Sequence, residues 1–141
     1  DRWRKLSPGA TAPNISLQDS NGKAMYLKDL RGKFLYIYVW ASSYGEMDKE
    51  VQAEWKKLVE EYKDNNILFP TFCMGSSQWL GQVKNLPGEH YVVNNTYAFY
   101  SRYMVTVMPR YMLIDPEGRI VDVDAPKPSS SAKLLLRSVG L

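Results

Sequence analysis

The sequence predicts an α/β domain, and three observations carry that prediction. Phe34 to Trp40, FLYIYVW, is nearly unbroken in apolar and aromatic side chains, as expected of a strand covered on both faces. From Gly45 to about Asn65, the residues Met47, Val51, Trp55, Leu58, Val59 and Tyr62 recur at spacings of three and four, with acids early and lysines late, which is the period and polarity of an amphipathic helix. Strand and helix patterns then alternate along the rest of the chain, an order that builds a helix-covered sheet.

Taken in order, ISLQDSNGKAMYLKDL reads as two short strands around an Asn21-Gly22 turn, a dipeptide that tolerates the positive φ of a tight hairpin. The apolar strand and the long helix follow. ILFPTFCM reads as a further strand in which Pro70 implies a bulge or a position without a ladder donor. Residues Ser77 to Leu86 fit a modest helix, LPGEHYVV a loop with a short strand, and Thr96 to Met104 another helix. RYMLID and RIVDVDA form a hairpin through Pro116-Glu117-Gly118, and SSSAKLLLRSV closes the chain as a serine-capped helix with Leu134, Leu135 and Val139 on one side.

Composition sets the outer limits. At 141 residues and 45% hydrophobic content, the chain is expected to form one domain over residues 1–141, with a proper core. No apolar run approaches the roughly 20 residues that span a bilayer. The first residues, DRWRKLSPGATAP, lack the apolar core of a signal peptide, and their abrupt, charged start is compatible with removal of a preceding signal, lipid anchor or domain. The net charge of +3 comes from 18 basic and 15 acidic residues dispersed along the chain, so nucleic acid is not an expected partner. Cys73 is the single cysteine, which excludes an intramolecular disulfide and a cysteine-based zinc cluster.

Several motifs in the right order carry a resemblance: GATAPNISLQDSNGKAMYLKDLRGKFLYIYVWAS, the helix, and YMVTVMPRYMLIDPEGRIVDVDAP. Over essentially its whole length the chain resembles the TlpA/ResA group of thioredoxin-like envelope thiol:disulfide oxidoreductases, within the wider AhpC/TSA-like class. The resemblance implies a thioredoxin fold, with a central mixed β-sheet flanked by helices and an N-terminal β-hairpin extension. It also implies a bacterial envelope or periplasmic setting, with a membrane link only through an anchor absent from this chain.

In such proteins the turn after the central strand reads like WASWCGPC. The first thiol is acidified at a helix start and attacks a substrate disulfide, and the second resolves the mixed intermediate. Here the turn is WASSYGEM: Trp40, Ala41, Ser42 and Gly45 match, Tyr44 and Met47 stand at the cysteine positions, and Glu46 replaces the proline. A tyrosine hydroxyl, with an ordinary pKa of about 10, forms no disulfide, and a thioether has no proton to lose. Tyr38 also stands where many family members keep a buried carboxylate, and Glu46 places a negative charge where a thiolate would form. Deliberate inactivation ordinarily swaps cysteine for serine or alanine and leaves the neighbours alone, so the pattern reads as natural.

Cys73, in a predicted strand, is expected to pack as a core residue, and a reactive thiol is the alternative. The resemblance implies a cis peptide at Met108-Pro109 and an extended substrate chain pairing beside it. Such a loop can bind polypeptide without any cysteine, and Trp40, Tyr44, Met47, Met108 and Pro109 are the candidate binding residues. For Trp40 and Met47, packing into the core is the competing reading.

His90 is the only histidine and has no partner at ligand spacing, so neither a metal nor a cofactor is expected. Asp19, Asp115, Asp122 and Asp124 lie in turn or strand-edge contexts, with Asp115 opening a DPEG turn, and nothing selects a catalytic pair. Asn14-Ile15-Ser16 and Asn94-Asn95-Thr96 fit the glycosylation pattern, which matters only in a glycosylating host.

Two functions follow. The first is a redox-inactive module that binds an extended polypeptide or packs on a neighbouring domain through the turn at Tyr44, Gly45, Glu46 and Met47 and the Pro109 loop. The second is a disulfide reductase of the envelope with its thiol chemistry at Cys73.

Overall fold

The computed structural model describes residues 3–44, 47–75 and 79–141, with backbone only at Trp3 and Tyr44. After a 3-10 turn at Trp3–Leu6, strands β1 (Ser16–Asp19) and β2 (Ala24–Tyr26) form the expected hairpin, with Gly22 at φ +79°. A second 3-10 turn at Leu27–Leu30 leads into β3 (Phe34–Ala41), the apolar strand, which is buried at every position but its first. The chain continues through α1 (Lys49–Tyr62), β4 (Ile67–Leu68), β5 (Pro70–Met74), α2 (Trp79–Val83) and β6 (Glu89–Val93). Then come α3 (Thr96–Tyr103), β7 (Arg110–Ile114), β8 (Ile120–Asp122) and α4 (Ser130–Ser138).

The strands make one mixed sheet in the order β2-β1-β6-β5-β3-β7-β8, with β4 also paired to β3. β3 runs parallel to β4 and β5 and antiparallel to β7, and the N-terminal hairpin joins the sheet through antiparallel pairing of β1 with β6.

Strict alternation along β3 divides the core in two. Leu35, Ile37, Val39 and Ala41 face a layer that includes Phe72, Phe99, Tyr103 and Met112, closed by α3. Tyr36, Tyr38 and Trp40 face the other, with Trp55, Leu58, Trp79, Leu113 and Leu136, closed by α1, α2 and α4. The second layer is an aromatic stack. Tyr38 and Tyr111, paired across β3 and β7, lie 5.0 Å apart at 12°, and Tyr36 stacks on Tyr111 at 5.8 Å. Trp55, fully buried, meets Phe69 edge-on at 5.7 Å and spends its indole N–H on Pro87 O at 2.7 Å. Gly88 is the position that permits this approach: at φ +116°, a Cβ there would lie 2.4 Å from Phe69 O.

The structure corrects four local readings. The long helix, expected from Gly45, which lies outside the described residues, begins only at Lys49 because Asp48 caps it, its carboxylate accepting from the N–H groups of Glu50 and Val51 at 2.8 and 3.3 Å. ILFPTFCM is two strands, not one. Pro70 has no N–H to give β3, and Phe69 instead exchanges bonds with Glu89, although the register with β3 is the same on both sides of the break, Leu35 opposite Leu68 and Tyr38 opposite Thr71. The second helix is shorter than Ser77 to Leu86, covering Trp79–Val83, with Ser77 outside the described residues. In α4 the buried residues are Ala132 and Leu136, flanked by half-buried Leu135 and Val139, whereas Leu134 is exposed, since at helical spacing it falls on the opposite face. Asp115 does open its turn, its carboxylate accepting from the N–H groups of Glu117 and Arg119, both at 2.9 Å.

His90 is a structural residue. Its Nε2 lies 2.7 Å from Leu86 O, which can only accept, so Nε2 carries the proton and Nδ1 accepts from the hydroxyl of fully buried Thr71, also at 2.7 Å. Burial lowers its pKa, with the Leu86 carbonyl and the charge of Glu89 opposing that shift.

Two outcomes are expected. Trp55→Ala should cost about 3–5 kcal/mol, measured by urea unfolding with circular dichroism. Because the folded pKa of His90 is depressed, its contribution is intact above the unfolded value of about 6.5 and declines as pH falls toward the folded pKa. The unfolding free energy should therefore drop more between pH 7.5 and 5.5 in the parent chain than in His90→Gln, and parallel curves would refute the assignment.

Candidate functional site

The carboxyl ends of β3 and β5 lie side by side, so the turn after β3 and the residues after Cys73 form one surface. Trp40 is directly opposite Cys73 and Ala41 opposite Met74. Beyond Ala41 the backbone makes a 3-10 turn at Ser42–Tyr44. Gly45 and Glu46, two of the degenerate turn positions, lie outside the described residues, as does the side chain of Tyr44.

Next to this turn is a cleft of about 330 Å³. β3 supplies Tyr38, Trp40 and Ala41, and Met47 joins them from the segment before α1. Met108 and Pro109, joined by a cis peptide bond, form the facing lip. The cleft therefore gathers four of the five residues singled out for polypeptide contact: Trp40, Met47, Met108 and Pro109. Trp40 and Met47 are at the same time core residues, 3% and 8% exposed, so the two readings offered for them are compatible. Sequence reasoning missed the outer rim, where Asp48, Glu50 and Glu54 from the start of α1 face Lys127 and Pro128 from the segment after β8. An acid at the helix cap followed by acids at helical spacing was the available signal.

The lip is held by Arg110. Its guanidinium, only 11% exposed, donates to the carbonyls of Tyr103, Met104 and Val123 at 3.2–3.3 Å and lies 3.7 Å from Asp124. These bonds tie the end of α3, where Met104 takes a left-handed φ of +51°, to the strand that follows Pro109.

The electrostatics of the cleft differ from those of a thiol site. The first free amides of α1, which would favour an anion, are taken by the Asp48 carboxylate. The hydroxyl pKa of Tyr38 is pushed up to about 12 by burial and then by the charge of Asp48, so it is neutral near pH 7. Trp40 Nε1 and the Tyr111 hydroxyl are buried without a hydrogen-bond partner among the described residues.

Cys73 is adjacent to the turn in space although it lies on another strand. Its side chain is fully buried, its Sγ donates to Gly75 O at 3.2 Å, and its thiol pKa is raised by burial, with the nearby Ser42 opposing that shift. Gly75, at φ +102°, leaves room for Ser42, whose Oγ would lie 3.0 Å from a Cβ there. Gln82 Nε2 donates to Ser42 O at 3.4 Å, so α2 also braces this corner. Among the described residues, no three His, Cys, Asp or Glu side chains are grouped so that they could hold a metal ion.

A mixed sheet with helices on both faces, a cis-proline lip and a turn at the end of the central strand define a thioredoxin-like domain. The Redoxin family model matches residues 7–135, and the chain belongs to that family. Among its relatives, the thiol-disulfide oxidoreductase ResA of Bacillus subtilis is 28% identical over 126 residues, covering 84% of this chain and 67% of the relative. ResA of Bacillus anthracis is 25% identical over 123 residues, covering 84% and 69%. A crystal structure of a candidate thiol-disulfide oxidoreductase from Bacteroides vulgatus superposes with a TM-score of 0.81 at 26% identity, covering 97% of this chain and 99% of that one. The thioredoxin domain of another Bacteroides vulgatus oxidoreductase shares the fold, with a TM-score of 0.82 at 19% identity and coverage of 95% and 98%.

The burial of Cys73 gives a direct test. An aromatic disulfide reagent should leave the thiol of the native chain almost unlabelled on a timescale over which one thiol per chain reacts in urea. Rapid labelling without denaturant would show that the thiol is reachable.

Proposed function

We propose that this chain is a redox-inactive polypeptide-binding module of the thiol-disulfide oxidoreductase family. The observation that carries the reading is the single cysteine together with Met47 lining a preformed cleft against Met108 and Pro109, and the resemblance puts Tyr44 and Met47 at the two redox positions. The thiol cycle needs two sulfurs within reach of each other, and the chain has one cysteine. An extended backbone can use the lip without either sulfur, pairing main-chain groups at Met108 and placing an apolar side chain among Trp40, Met47 and Met108. Methionine suits such a surface because its flexible, polarisable side chain adapts to different apolar partners. A neighbouring domain presenting an extended segment would be recognised in the same way. We propose the bacterial envelope as the setting, on the family resemblance.

The competing reading, a disulfide reductase acting through Cys73, would need a thiolate that substrate can reach. Full burial and a raised pKa weigh against it, because the thiolate is the nucleophile.

The discriminating experiment is reduction of a disulfide substrate from a dithiol donor, with a CxxC relative as positive control. The parent chain and Cys73→Ser should both run at background. Turnover well above background that disappears in Cys73→Ser would overturn the proposal in favour of one-thiol chemistry.

A further inference from the structure

We infer that the polypeptide segment taken by this cleft carries a lysine or arginine side chain next to apolar residues. The inference rests on the binding reading above and specifies its ligand.

The charge pattern around the cleft argues for it. The chain as a whole is cationic, at +3, yet among the described residues the rim holds three carboxylates, Asp48, Glu50 and Glu54, against a single ammonium, Lys127. Of the three, Glu54 has an ion pair, an exposed one with Lys57 at 3.5 Å, in which the lysine is 72% exposed. Asp48 is held in place by the two amides it caps, and neither it nor Glu50 has an ion-pair partner among the described residues. Inside the rim the lining changes from acidic to aromatic and thioether, through Tyr38, Trp40, Met47 and Met108.

That succession matches a long cationic side chain. Its methylene stem packs on apolar surface while its head stays near the carboxylates, and aromatic rings add attraction for the cation. An acidic side chain meets the opposite conditions: the rim repels it, and the helix-start amides that would hold a carboxylate already belong to Asp48. The cleft volume of about 330 Å³ lies at the low end of the 300–1,000 Å³ range of small-ligand sites. It holds one or two side chains of an extended segment, with the backbone running along the Met108 lip.

The probe is a blocked peptide, Gly-Ala-Leu-Lys-Leu-Ala-Gly, compared with peptides bearing arginine, norleucine or glutamate at the centre. Binding to the full chain is followed by the methyl resonances of Met47 and Met108. The lysine and arginine peptides should bind about tenfold more tightly than the norleucine peptide, and the glutamate peptide more weakly still. The combined Glu50→Gln and Glu54→Gln variant should erase most of that preference, bringing the lysine and arginine peptides to within about twofold of the norleucine peptide measured on the same variant. Equal affinity for lysine and norleucine peptides would overturn the charge inference alone and leave the binding reading standing. Absence of any methyl shift with all four peptides would overturn both. An equal response to free butylamine at matched concentration would mean that the cleft takes small amines rather than a polypeptide, and would overturn the inference.

Discussion

The arrangement depends on the double burial of β3. A strand with both faces out of water and pairing partners along both edges has no freedom to slip, because a shift of one residue would exchange Tyr36, Tyr38 and Trp40 with Leu35, Ile37 and Val39 between the two layers. Register with β5 and β7 is fixed by the same alternation. Everything at the carboxyl end of the strand is positioned as a result: Trp40 beside Cys73, Ala41 beside Met74, and the 3-10 turn projecting from a frame that cannot rotate.

Much of this frame was legible in the sequence because it is written in local periodicity. The apolar run of β3, the spacing of Trp55, Leu58 and Tyr62, the Asn21-Gly22 and Pro116-Glu117-Gly118 turns and the Ser129 cap each depend on a few adjacent residues. What was not legible depends on partners distant in the chain. Pro70 signalled a break in its strand, but not that Glu89 would take up the bonds of Phe69, and the bracing of Ser42 reflects Gln82. The start of α1 was an exception. Asp48 was a cap signal in plain view, and it was outweighed by the apolar spacing that Met47 extends toward the N-terminus. The exposure of Leu134 was missed for a related reason, since three successive leucines offer more than one apolar stripe and only the sheet chooses between them.

The candidate site was half legible. Motif order located the turn and the proline lip, but it could not say that Met47 would be both packed and available to the cleft. That dual role follows from the way the cleft is built: Met47 belongs to the layer of Tyr38 and Trp55, Met108 packs against the layer of Phe72 and Phe99, and the cavity lies between them at the end of the sheet. The rim was invisible for a different reason. Asp48, Glu50 and Glu54 look like the ordinary acidic start of a helix until Lys127, more than seventy positions later, is brought opposite them.

The Arg110 side chain sets the state in which this surface waits for a ligand. Its guanidinium hydrogen bonds run to carbonyls of two separate segments, Tyr103 and Met104 at the end of α3 and Val123 just after β8. Met108 and Pro109 are anchored to the end of α3 before anything approaches them, so a visitor to the cleft meets a standing edge and loses little free energy in ordering it.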